Sequence, residues 1–164
     1  MNRRGFTYLE LVMVIVLIAI IAVFVAPNLG NITTINAGAF TDKLRADIRY
    51  AQDLAMTQNR RYRVYFNGSP APAAGYAVVY DSSAAKNWSS FGFAPDPVGS
   101  GNLNVTLNTG QYAGITVTTP TGGFVQFDSM GIPYNSSGIL TAVLTINVLP
   151  SGSVPIAPQT GAVN

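Results

Sequence analysis

The chain has 164 residues, 48% of them hydrophobic, and its nine Lys and Arg exceed its seven Asp and Glu by two. Arg3 and Arg4, close to the N-terminus, account for that whole excess, so the basic pI of about 9.0 does not argue for a nucleic-acid partner. The chain has no Cys and no His, which excludes disulfide staples, the usual zinc sites and every His-based catalytic relay.

The first predicted element is a basic leader, residues 1–5, followed by an apolar helix over residues 6–26. A helix of about 21 residues just spans the hydrocarbon core of a bilayer. Because basic residues before an apolar run stay on the cytoplasmic side, we expect a single pass with the N-terminus in the cytoplasm. Glu10 is the anomaly, since a carboxylate deep in a bilayer costs roughly 2.5 to 3.5 kcal/mol.

The small residue Gly5 precedes the apolar run, whereas an ordinary secretory signal is cut at small residues after it. Cleavage after Gly5 would therefore keep the apolar helix and create a new amine at Phe6, about one helical turn from Glu10. In staggered chains packed side by side, the amine of one chain could meet the carboxylate of the next. Such a contact would neutralise both charges and fix the register of the stack.

The same residues match a known signal, and the segment reads Arg4-Gly5-Phe6-Thr7-x-x-Glu10-Leu11. It resembles the class III signal of type IV prepilins and type II secretion pseudopilins, with Tyr8 in place of the common Leu. The resemblance implies cleavage between Gly5 and Phe6 by a membrane prepilin peptidase, N-methylation of Phe6, and a role for Glu10 in filament register. It also implies a helix kink at Pro27. The alternative is a signal anchor that happens to contain a Glu.

Residues 27–38 are poor helix formers, and Pro27 removes a backbone donor. They predict a weak linker, either a weakened or broken helix or a plain loop between anchor and domain.

From Phe40 onward, apolar residues recur at spacings of three and four, which predicts an amphipathic helix over Thr41–Gln58. We expect its apolar stripe to pack against a sheet; the stripe consists of Phe40, Leu44, Ile48, Ala51 and Leu54. We expect its charged residues to form a solvated face; these are Lys43, Arg45, Asp47, Arg49 and Asp53.

After Asn59 the pattern alternates, which predicts a strand over residues 61–66, a turn at 67–70 and a returning strand at 76–80. Arg60, Arg61 and Arg63 form a basic cluster, interpreted as a solvent-facing junction between helix and strand. The alternative is a binding site for DNA or an acidic partner, which the absence of clear aromatic interleaving disfavours.

Residues 81–102 predict a long loop that carries the single Trp, Trp88. Trp88 and Phe91 either anchor this loop to the core, which we favour, or present an interaction surface.

Four further strands are predicted, with a turn at residues 128–131 and a short edge strand after Pro150. The four strands cover Leu103–Leu107, Ile115–Thr118, Phe124–Phe127 and Ile139–Val148. This order, with Phe-Asp-x-x-Gly-x-Pro at residues 127–133, resembles the pseudopilin H and FimT-like branch of the family. The ending Thr160-Gly161-x-Val163 resembles minor pilins of the mannose-sensitive haemagglutinin type.

The expected fold is therefore α+β and pilin-like, with a long N-terminal helix packed on an antiparallel β-sheet head over residues 60–164. We expect no catalytic residue, because Asp81, Asp96, Asp128 and Lys86 are separated by turns and each Asp is explained by turn capping. We also expect no cofactor and no metal site.

The resemblance implies a structural subunit, a minor pilin or pseudopilin, of a type IV pilus or a type II secretion filament. Its expected partners are other pilin or pseudopilin subunits, the prepilin peptidase, the inner-membrane assembly platform, and membrane lipid before assembly. Nucleic acid is not expected. The expected location is the bacterial inner membrane with the head in the periplasm, then a periplasmic or extracellular filament. The alternative is a membrane-anchored recognition module, an adhesin or DNA binder, that does not polymerise.

Overall fold

The computed structural model describes residues 7–25 and 32–164, which belong to two compact units, Met1–Ile32 and Thr33–Asn164. The predicted leader at residues 1–5, the cleavage pair Gly5 and Phe6, and the kink at Pro27 lie outside the described residues.

In the first unit, residues Tyr8–Val25 form helix α1. Its sequence is apolar except for Glu10, and no side of it is polar. Within the part of the chain that the structure describes, no helix combines the length and the apolar character needed to cross a membrane.

Helix α2 covers Ile32–Thr57, and all of it except Ile32 belongs to the second unit. Its end agrees with the predicted end at Gln58, but its start lies well before the predicted start at Thr41. The predicted weak linker, whether a weakened or broken helix or a plain loop, is therefore wrong for residues 32–38, whereas residues 27–31 lie outside the description.

Tertiary contacts explain why these poor helix formers are helical. Ala37 and Phe40 are fully buried in the core, and the side-chain amide of Asn36 donates to the carbonyl of Gln111 at 3.2 Å. Burial of one helical face outweighs intrinsic propensities of less than about 1 kcal/mol per residue.

Ten strands follow α2 in the order of the chain. Their bounds are β1 Tyr62–Phe66, β2 Gly75–Asp81, β3 Phe91–Phe93, β4 Asn104–Thr106, β5 Thr116–Val117, β6 Phe124–Phe127, β7 Pro133–Asn135, β8 Gly138–Ile139, β9 Leu144–Leu149 and β10 Ser153–Ile156. Seven of them form one antiparallel sheet in the order β3-β2-β1-β6-β7-β8, with β4 on another stretch of β2. The other three form a small sheet in the order β10-β9-β5.

The predicted hairpin is confirmed, since β1 pairs antiparallel with β2 from Tyr62 opposite Tyr80 to Phe66 opposite Tyr76. Asn67 holds its turn: the side-chain oxygen accepts from the backbone N–H of Gly75 at 3.1 Å, and the side-chain nitrogen donates to the carbonyl of Val117 at 2.9 Å. The turn thus links the large sheet to the small one.

The predicted long strand Ile139–Val148 is wrong, because β8 ends at Ile139 and β9 begins at Leu144, in the other sheet. Leu140, between them, is buried and donates its N–H to the carbonyl of Pro133 at 3.0 Å. The apolar residue Leu140 is thus buried where the chain passes from one sheet to the other, and not within a continuous strand.

The remaining strand predictions are confirmed within one or two residues, including the edge strand after Pro150, which is β10. Two strands were missed. β3 lies inside the predicted long loop, and β7 begins at Pro133, where the missing backbone donor is tolerated at the first position of a strand.

The core of the second unit joins α2 to both sheets. The predicted apolar stripe is confirmed, since Phe40, Leu44, Ile48 and Ala51 are buried and Leu54 packs half-buried against them. The stripe meets side chains from the inner faces of the strands: Tyr62, Val64, Phe66, Tyr76, Val78, Val125, Phe127, Ile146, Val148, Val154 and Ile156. The described helices and antiparallel sheets give the expected α+β class.

Candidate functional site

Glu10 lies in the first turn of α1, with an exposed side chain. Thr7 precedes the helix and caps it, because the N–H of Glu10 donates to the Thr7 hydroxyl at 3.3 Å and to the Thr7 carbonyl at 3.0 Å. A Thr before the helix with a Glu three residues later has the sequence of a capping box. The structure shows the bond from the Thr7 side of this box, and Glu10 is exposed.

The rest of α1 presents apolar side chains all around its axis, and the exposed ones include Tyr8, Leu9, Met13 and Val23. A helix of this kind is typical of a segment that other protein or lipid covers. In the described residues of this helix Glu10 is the one ionisable group apart from the phenol of Tyr8.

A buried polar network lies on α2 where the sequence predicted a solvated face. Asp47 is only 4% exposed; its carboxylate accepts a hydrogen bond from the Tyr76 hydroxyl and pairs with Lys43 Nζ at 2.7 Å. Burial, and then the neighbouring Asp47, raise the pKa of Tyr76 far above its ordinary value, so the phenol stays a proton donor. The expectation that Asp47 is solvated is therefore wrong.

The outer face of the large sheet carries a stack around Arg63. Its guanidinium lies 4.0 Å from the ring centroid of Trp88 and 4.1 Å from that of Phe124. Arg63 also donates to Gln126 Oε1 at 2.9 Å and to the Tyr65 hydroxyl at 2.8 Å, and Trp88 Nε1 donates to the same Gln126 oxygen at 3.1 Å. Trp88 therefore anchors its loop, but to the outer face of the sheet and not to the core as the sequence predicted.

The stack corrects two sequence-based expectations. Arg63 does not face solvent with Arg60 and Arg61, and aromatic rings do lie on its face of the sheet. Phe91 is 46% exposed and contacts Phe93, with ring centroids 6.1 Å apart, so it is not a buried anchor. Gln126, a polar residue inside an apolar strand, was the signal in the sequence that could have pointed to this buried contact.

The three Asp residues of the sheet region each bind backbone N–H groups, as predicted. Asp81 accepts from the N–H of Ser83 at 2.9 Å and of Trp88 at 3.3 Å. Asp96 accepts from the N–H of Val98 at 2.9 Å.

Asp128 accepts at 2.9 Å from the N–H groups of both Met130 and Ile132, and at 3.0 Å from the Tyr134 hydroxyl. Across residues 7–25 and 32–164, no group of three His, Cys, Asp or Glu side chains is placed to hold a metal ion. The acidic side chains of the sheet region therefore stabilise turns.

In a comparison with protein families, the family described as Type II transport protein GspH matches residues 41–159. The matched span covers most of α2 and every strand of the two sheets. Comparison with curated proteins and with solved structures gives no match.

Proposed function

Because the chain belongs to the GspH family of type II transport proteins, we propose that it is a structural subunit of a secretion filament or a type IV pilus. The family match over residues 41–159 is the observation that carries this proposal. The N-terminal segment supports it independently, since the Arg4-to-Leu11 motif lies outside the matched residues. The role proposed is that of a minor pilin or pseudopilin, a building block and not an enzyme.

In this proposal a prepilin peptidase cleaves between Gly5 and Phe6, and the new amine of Phe6 is methylated. Residues 6–26 anchor the subunit in the inner membrane before assembly, with the N-terminus in the cytoplasm and the head in the periplasm. The inner-membrane assembly platform then moves the subunit into a filament with other pilin or pseudopilin subunits.

Glu10 sets the register of that filament. Glu10 is exposed on a helix that is otherwise apolar, where its carboxylate can meet an amine. The amine is that of Phe6 on an adjacent subunit. Pairing would neutralise two charges that assembly removes from water, whereas either charge alone would be costly to bury.

The processing step is tested by Gly5→Leu, expressed with the prepilin peptidase. A bulky side chain at the cleavage position should leave the leader attached, whereas the unaltered chain should begin at Phe6. The mass of the intact protein measures the difference. A mature N-terminus at Phe6 in the variant would count against the peptidase step.

The register role is tested by Glu10→Val, with Leu11→Val as a matched control that changes a neighbouring side chain without changing charge. We expect both variants to enter the membrane fraction, and Glu10→Val to fall about tenfold or more in the sheared filament fraction, because the amine is left unpaired. Normal incorporation of Glu10→Val would reject the register role of Glu10, whereas absence of the unaltered chain from the filament fraction would favour the recognition module that does not polymerise.

A further inference from the structure

An open cleft of about 660 Å³ lies at one end of the large sheet. We call it the basic cleft; residues 58–61, 80–84, 86 and 128–129 line it. These segments meet because β2, β1 and β6 are neighbours: Tyr62 at the start of β1 lies opposite Tyr80 and opposite Phe127. The connections that follow α2, β2 and β6 thus form one concave surface.

Three cations line this cleft: Arg60, Arg61 and Lys86. None of them forms an ion pair with a carboxylate in the described residues, where the two ion pairs found both lie on α2. Arg61 Nη1 donates to the backbone carbonyl of Lys86 at 3.0 Å, and the guanidinium of Arg60 lies 5.3 Å from the ring centroid of Tyr80. Most of their donor groups remain available to a ligand.

The two carboxylates of the cleft are already engaged in holding its walls. Asp81 binds the N–H groups of Ser83 and Trp88, and Asp128 binds those of Met130 and Ile132. Neither carboxylate forms an ion pair with the cations in the described residues, although the charge of Arg61 acts on Asp81 from a greater distance.

The loop that carries Lys86 is held in a defined shape. Lys86 and Trp88 both have left-handed backbone angles, with φ of 52° and 64°. Residues other than Gly rarely adopt such angles. The hydrogen bonds to Asp81 and the stacking of Trp88 on Arg63 maintain this shape. Strain of this kind is typical of sites where the backbone positions a side chain for a contact.

We propose that the basic cleft binds the carboxylates of an acidic peptide segment on a partner protein. Arg guanidinium groups match carboxylates in a two-pronged geometry, and Lys86 adds a third positive charge. A single-stranded nucleic acid fits less well, because the aromatic ring of the cleft lining, Tyr80, already lies 5.3 Å from the guanidinium of Arg60 and is not free to stack on a base. The cation that stacks on aromatic rings, Arg63, lies outside the cleft lining and is covered by Trp88.

This site lies wholly in the second unit and would serve a filament subunit and a non-polymerising module alike. An experiment that disproves binding at this cleft would therefore leave the proposed filament role untouched, and the reverse also holds. Because the contacts are partly exposed ion pairs, binding should weaken as salt is added.

The test uses the full chain in mild detergent with a fluorescent oligoglutamate peptide, and anisotropy measures binding. Oligoglutamine and oligothymidylate are the comparison probes. We expect saturable binding of oligoglutamate at low ionic strength, and Arg60→Gln and Lys86→Gln should each weaken it about three- to fivefold. Arg45→Gln is the matched control, since it removes the same charge from α2 outside the cleft.

Thermal unfolding of each variant confirms that it is folded before binding is compared. The proposal is overturned if oligoglutamate does not bind saturably, or if Arg45→Gln weakens binding as much as the cleft variants do. It is also overturned if oligothymidylate binds as tightly as oligoglutamate, since the cleft would then prefer phosphate. Arg60→Lys should retain more of the binding than Arg60→Gln, because it keeps the charge.

Discussion

Asp47 is a charged residue that α2 turns toward the core, and the residues around it explain why this is tolerated. The Tyr76 hydroxyl and Lys43 Nζ both reach its carboxylate, so the charge is paired and hydrogen-bonded. A buried carboxylate without such partners would cost several kcal/mol. Tyr76 lies on β2, and this one contact therefore ties the helix to the centre of the large sheet.

Asp81 should make the free energy of unfolding depend on pH. Burial raises the pKa of its carboxyl, but the hydrogen bonds from Ser83 and Trp88 and the charge of Arg61 outweigh burial, and the net pKa is lowered. The unfolded chain therefore binds a proton more readily, and stability is lost as pH falls through the folded-state pKa. Above the ordinary Asp pKa of about 3.9 the contribution is complete.

We expect Asp81→Asn to lose about 1 to 3 kcal/mol of unfolding free energy at neutral pH, because charged hydrogen bonds are removed. The variant should also lose less stability than the unaltered chain between about pH 5 and pH 2. Urea unfolding at several pH values measures both effects. Ser83→Ala keeps the carboxylate and should retain a pH slope, although a smaller one; parallel curves for Asp81→Asn and the unaltered chain would contradict the assignment.

At the scale of single residues, the sequence was informative where chemistry is local. Turn capping by Asp128 follows from the four residues around it, and it is confirmed. The burial of Asp47 and the stacking of Arg63 depend on residues far away in the chain, Tyr76 for the first and Phe124 for the second. Periodicity along one helix or strand contains no information about such partners.

At the scale of elements, the length of α2 shows that tertiary contacts can outweigh intrinsic helix propensity in setting where a helix begins. Residues 32–38 include two Thr, two Ile, Asn and Gly, all weaker helix formers than Ala. The helix nevertheless extends through them, since Ala37 is fully buried and Asn36 is bonded to Gln111. Helix position was predictable from the apolar stripe, whereas the helix start depended on tertiary contacts that the pattern does not contain.

The stack around Arg63 is what fixes the loop between β2 and β3. We expect Arg63→Lys to cost about 1 to 2 kcal/mol of unfolding free energy, because an ammonium cannot lie flat between two rings and reach Gln126 and Tyr65 together. Hydrogen exchange at the backbone amide of Trp88 should become faster in the variant.

The matched control for this prediction is Arg45→Lys. In the unaltered chain the Arg45 guanidinium donates to the Asp42 carboxylate at 2.5 Å, and both residues lie on α2. A Lys can make that contact, so we expect little change in stability. Equal losses in the two variants would show that the stacking geometry of Arg63 adds nothing to the general effect of an Arg→Lys exchange.

At the scale of the whole molecule, the second unit is larger than the segment that defines its family. The match begins at residue 41 and ends at residue 159, but buried core residues continue on both sides. Ala37 and Phe40 precede the match, and Val163 follows it. At the C-terminal end, Arg49 Nε on α2 donates to the Val163 carbonyl at 3.0 Å.

These end contacts predict how fragments of the chain behave. A fragment of residues 33–164 should unfold cooperatively in urea, because all the core residues lie within it. A fragment of residues 41–159 should be less stable by at least about 3 kcal/mol, since losing Phe40 alone has the effect of a large-to-small core substitution. Trp88 fluorescence measures both transitions. Equal midpoints would refute a stabilising role for the ends, and an unfolded 33–164 fragment would show that the second unit requires residues 1–32.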